Sequence, residues 1–224
     1  MRSDLLQSAE TISHLALIVM AIIYTLRIRW LLKFKLGKER QAPTGTGRFE
    51  SHKRSIIYSW ANIALPHEME STRNNIMMYI QFLVFHFGVV LAIGLTFIIP
   101  YIPAMLESPF ILRLFQVVIG GACLIGVYRI FRRFGDKYIR AISSPDDYFS
   151  LILLTIWFFF GFLSVPNDTS GGEWHLLTFF FMTTFFLLYV PFSKISHYLY
   201  YPFTRYYLGK TLARRGVYPV KRTV

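Results

Sequence analysis

The residues in this chain best placed to do chemistry are two histidines inside apolar segments, His86 in FLVFHFGVVLAIG and His197 at the end of FFLLYVPFSKISH. An imidazole in hydrocarbon is costly unless something binds it, so histidines on two different spans point to a shared metal, and a pair of imidazoles suits a haem iron. Taken singly, either is equally well explained as a polar side chain hydrogen-bonded across a helix bundle. As a pair they need similar depth. His86 lies thirteen residues past Arg73, about 20 Å along a helix, and His197 lies eight residues before Arg205, about 12 Å by the same rise. Helix tilt and imidazole reach absorb the remaining difference of about 8 Å. Lys194 and Arg205 bracket His197 and are candidates for holding haem propionates.

Four further histidines are present. His52 in the basic loop and His67 in LPHEME read as solvated side chains, while His14 and His175 fall at the start of apolar runs.

The elements that must position these residues follow from composition. The chain has 224 residues, 54% of them hydrophobic, with a mean hydropathy of +0.43. A spanning helix needs about 20 apolar residues. Runs of that kind place spans at about 11–32, 76–100, 110–131, 149–166 and 175–200, which predicts an all-α integral membrane protein, a single five-helix bundle over 1–224. A closed β-barrel would show alternating segments of about 10 residues, and LILLTIWFFFGFL does not alternate.

Charge gives the expected orientation. Of the 24 Lys and Arg residues, all but Arg2 and Arg113 fall in the first-to-second or third-to-fourth connection, at the span ends beside them, or from Lys194 onward. The positive-inside rule makes that side cytoplasmic, with the N-terminus outside, a cytoplasmic loop at 33–75 and a cytoplasmic tail at 201–224. The formal charge of +12 therefore reflects topology and contact with anionic lipid, and no nucleic-acid-binding motif accompanies it. The N-terminus reads as a signal anchor, since Asp4 and Glu10 precede the first run and the basic cluster follows it. A single cysteine, Cys123, leaves no internal disulfide and no cysteine-ligated iron–sulfur cluster within the chain.

Two readings of the bundle interior are made at this level. Gly88 and Ala92 form a small-xxx-small pair and Gly120, Gly121 and Gly126 thin the next span, which would leave room for a planar macrocycle. The spans are also read as free of buried acid, and with no internal repeat this counts against a transporter.

FHFG in the second span and YVPFSKISH in the fifth resemble the corresponding helices of the haem-b gamma subunit of respiratory nitrate reductase and of the related membrane cytochromes b of heterodisulfide-reductase-like complexes. The resemblance covers the five-span topology and is strongest across 82–97 and 184–205. It implies an inner haem b held by His86 and His197, quinone or quinol as substrate, a cytoplasmic iron–sulfur partner, and residence in the prokaryotic cytoplasmic membrane. In that family an outer haem uses a histidine ten residues after the first ligand and another eighteen before the last; here those positions are Thr96 and Phe179. One haem is the direct reading. His14 and His175 stand as alternatives for a relocated second haem or a quinone contact, or as ordinary interfacial side chains.

The sequence thus leads to an electron-transfer subunit with no catalytic residue of its own. The alternative is a cofactor-free membrane anchor or assembly subunit whose basic face holds a soluble complex.

Overall fold

The computed structural model describes residues 3–34, 52–65 and 70–218. In chain order the helices are α1 (Asp4–Lys33), α2 (His52–Ala61), α3 (Glu70–Asn74), α4 (Ile76–Tyr101), α5 (Pro109–Gly135), α6 (Lys137–Ala141), α7 (Pro145–Ser164), α8 (Trp174–Tyr189) and α9 (His197–Arg214), and no strand occurs among the described residues. Five stretches are long and apolar enough to cross a membrane: α1, α4, α5, α7 and Trp174–Phe192. The protein is an all-helical, multi-pass membrane protein.

Local chemistry sets the helix ends. Pro109 and Pro145 open α5 and α7 at the first helical position, where a missing N–H is no loss. Asp147, three residues into α7, accepts from both the amide and the hydroxyl of Ser144 at 2.8 Å, which fastens that helix start. The fifth span is shorter than the 175–200 expected. Pro191 has no N–H and its ring clashes with the preceding turn, so α8 stops at Tyr189. Two 3-10 turns, Val190–Phe192 and Lys194–Ser196, then lead into α9.

The chain divides into two compact units, one formed by Met1–Leu26 with Ile80–Ile195 and the other by Arg27–Tyr79 with Ser196–Val224. In lipid there is no hydrophobic drive between helices, so close contact at small residues must hold the first unit together. A Cβ on Gly88 of α4 would collide with Ala122 of α5, one on Gly126 of α5 would collide with Thr155 of α7, and one on Gly161 of α7 would come 3.2 Å from the Phe179 ring of α8. Of the small residues read as room for a macrocycle, Gly88 and Gly126 are taken up by these contacts. Around them Phe158, Phe179, Phe180, Leu95 and Ile119 are fully buried, and Trp157 donates its indole N–H to Thr183 at 2.9 Å. On α1, Leu6, Ala9, Glu10, Ser13 and Ala16 form the buried stripe at helical spacing.

The second unit is built on α2 and α9, which run antiparallel. Ser55 donates to the Tyr218 carbonyl at 2.9 Å at one end, and Trp60 donates its indole N–H to the Pro202 carbonyl at 2.9 Å at the other. Between them a Cβ on Gly209 would sit 2.7 Å from Ile56 Cα and 2.9 Å from the Ser55 carbonyl, so only glycine lets the two backbones approach this closely. Both helices lie outside the five membrane-length stretches.

Candidate functional site

His86 is half-buried on α4, beside the fully packed face that carries Phe85, Gly88 and Ala92. Its Nδ1 lies 2.7 Å from the carbonyl oxygen of Phe82, one turn earlier. A carbonyl only accepts, so Nδ1 must carry the proton. In the neutral ring Nε2 then carries the lone pair, the form in which imidazole ligates iron, with the ring oriented by the backbone as metal-binding histidines usually are. The Phe82 ring packs on the imidazole at 4.2 Å between centroids and Phe85 meets it at 6.2 Å. As a haem ligand, His86 fits.

His197 is the first residue of α9, exposed, with its ring edge-on to Tyr198 at 6.5 Å. It lies five residues beyond the end of the fifth span, because Pro191 ends that helix early. It belongs to the second compact unit, whereas His86 belongs to the first.

Lys194, read from the sequence as a candidate propionate contact, pairs with a protein carboxylate. Its ammonium lies 3.0 and 3.1 Å from the two oxygens of Asp147 and 2.7 Å from the Ser144 hydroxyl. Arg133 approaches the same carboxylate at 3.9 Å and donates to Ser143 at 2.6 Å. Arg205 stacks over Tyr201 in the second unit, 5.4 Å from the ring centroid.

At the other end of the first unit, His14 packs against Phe97 and Tyr101 of α4, at 5.9 and 5.3 Å between ring centroids. Its Nδ1 is 3.4 Å from the Tyr101 hydroxyl, and its Nε2 is buried with no hydrogen-bond partner. His175, the second residue of α8, touches Trp174 edge-on at 5.7 Å, and its backbone carbonyl accepts from Ser164 at 3.3 Å. The two rings thus have separate neighbours. His52 is exposed at the start of α2, and His67 lies outside the described residues. No group of three or more His, Cys, Asp or Glu side chains suited to a metal occurs among the described residues.

Thr96 and Phe179 are both committed to packing. Thr96 is buried and donates to the Ile93 carbonyl at 2.7 Å; Phe179 is fully buried and stacks on Trp157 at 5.9 Å, with 11° between the planes. Neither supplies an iron ligand, so an outer haem does not fit at these two positions.

Three features were not anticipated from the sequence. Glu10, one position before the 11–32 span expected, is only 8% exposed on α1. Its place on the Leu6–Ser13 stripe was the available signal. Tyr189 donates to Asp146, and its hydroxyl also pairs with that of Ser150 at 3.1 Å, a polar knot where α7 begins and α8 ends. Arg129 lies with its guanidinium carbon 4.9 Å from the centre of the Phe85 ring.

Comparison with known proteins finds no matching family model, curated protein or solved structure. Fold and site together define the class, a five-span helical membrane protein with an oriented histidine on α4.

Proposed function

We propose that this chain is a haem-b electron-transfer subunit of the prokaryotic cytoplasmic membrane, linking the quinone pool to a cytoplasmic iron–sulfur partner. His86 would hold the haem iron, together with His197 by the resemblance at YVPFSKISH. The observation that supports the reading is the 2.7 Å contact from His86 Nδ1 to the Phe82 carbonyl, which puts a proton on Nδ1 and orients the ring as in metal-binding histidines. Haem, when bound, supplies reversible one-electron transfer. The chain's part is to hold and tune it: the imidazoles of His86 and His197 would both be committed to holding the haem, which suits electron transfer over oxygen binding. The basic segments, on the cytoplasmic side under the positive-inside rule, support an iron–sulfur partner docking there.

One observation favours the alternative of a cofactor-free anchor. His197 is exposed beyond the fifth span, on a helix that packs with α2 as a separate unit. Reduced-minus-oxidised absorption spectra of the purified protein decide between the two. Haem b bands in the wild type that are lost in His86→Ala and in His197→Ala support the electron carrier. A colourless protein that keeps its helical fold supports the anchor.

A further inference from the structure

The end of the first unit that carries Arg129, Arg132, Arg133 and Lys194 is rich in cations, and Asp147 is already shared by Lys194 and Arg133. Arg129 is different. It is half-buried on α5, with Arg132 and Arg133 three and four positions on adding like charge, and it packs on the face of Phe85. Among the described residues no carboxylate and no hydrogen-bond acceptor meets its guanidinium. Five N–H donors held in a planar fork, partly withdrawn from water and crowded by like charge, form a seat for a carboxylate. Phe85 positions this seat: it is buried, edge-on to Phe158 at 5.2 Å, and precedes His86 in the chain. The seat and the oriented imidazole are thus tied to one rigid stretch of α4.

We infer that Arg129 binds a propionate carboxylate of the haem, the role for which the sequence offered Lys194 and Arg205. The inference rests on the haem reading above. A guanidinium stacked on an aromatic ring keeps its in-plane N–H groups available, so the Phe85 contact and a bidentate carboxylate contact are compatible. Lys194 would have to give up Asp147 to do the same.

The test is a titration of full-length apoprotein in detergent with haem b and with haem b dimethyl ester, whose propionates are masked. The wild type should bind haem b about tenfold or more tightly than the ester, as a charge-assisted bidentate contact allows. Arg129→Gln should bind haem b about tenfold more weakly and the ester as the wild type does, erasing the preference. Arg129→Lys should recover part of it, as a point charge without the fork. Equal losses for both ligands would mean a structural role and overturn the inference. So would an unchanged preference in Arg129→Gln, or loss of the preference in Lys194→Gln alone. If the wild type binds neither ligand, the haem reading itself falls, an outcome distinct from a wild type that binds both ligands equally.

Discussion

The ammonium of Lys194 lies 3.0 Å from Asp147, 47 positions earlier in the chain, and so fastens the turn after α8 to the start of α7. Because the Lys194 side chain is 61% exposed, the ion pair alone contributes at most about 1 kcal/mol. Asp147 does more, since it also accepts from the Ser144 amide and hydroxyl. Lys194→Ala should therefore lower stability by less than about 1 kcal/mol, and Asp147→Ala by about 1–2 kcal/mol, the extra being the lost helix start. Thermal unfolding in one detergent checks the ranking; equal effects would contradict it.

Two glycines on α4 should respond in opposite ways. A Cβ on Gly88 collides with Ala122, whereas one on Gly94 meets nothing within 4 Å. Gly88→Ala is expected to force α4 and α5 apart at a cost of about 1–3 kcal/mol, and Gly94→Ala to stay within about 0.5 kcal/mol of the wild type. Melting temperatures of the two variants measure this directly.

The buried, unpartnered Nε2 of His14 carries a desolvation cost that a carbon ring would not. His14→Phe keeps an aromatic ring against Phe97 and Tyr101, and Tyr101 is itself exposed, so its hydroxyl is not left buried. The variant should be as stable as the wild type or more so, by up to about 1 kcal/mol. A clear drop in melting temperature would show that the imidazole is satisfied in the membrane, as a second haem or a quinone there would require.

In the loop between α7 and α8, the Ser170 amide and hydroxyl, at 2.8 and 2.9 Å, hold the Asp168 carboxyl below the usual carboxylate range. A depressed carboxylate stabilises the folded state above its unfolded pKa of about 3.9, and that contribution is lost as pH falls through the lower folded value. Below about pH 4 the wild type should lose stability that Asp168→Asn does not lose, while the difference between them is constant near pH 7. Melting curves from pH 3 to 7 test the sign.

The spans were readable because an uninterrupted run of about 20 apolar residues matches the thickness of the hydrocarbon layer, and a helix buried in a soluble core rarely needs so long a run. Their ends were less so. Pro191 lies in plain view, yet the apolar run continues past it, and hydropathy alone therefore placed His197 inside a span. Partnerships at long range were invisible: Lys194 finds Asp147 and His14 finds Tyr101 across 47 and 87 positions. Gly88, Ala122 and Gly126 are special by their size, but size alone does not say whether a small residue admits a ligand or a neighbouring helix.

The central claim is a haem held by His86, with no outer haem at Thr96 and Phe179. Haem content per polypeptide in the purified full-length protein tests it most directly. One haem b per chain is predicted, lost in His86→Ala while the helical content is kept. A haem-free wild type, or haem retained in full by His86→Ala, would contradict it.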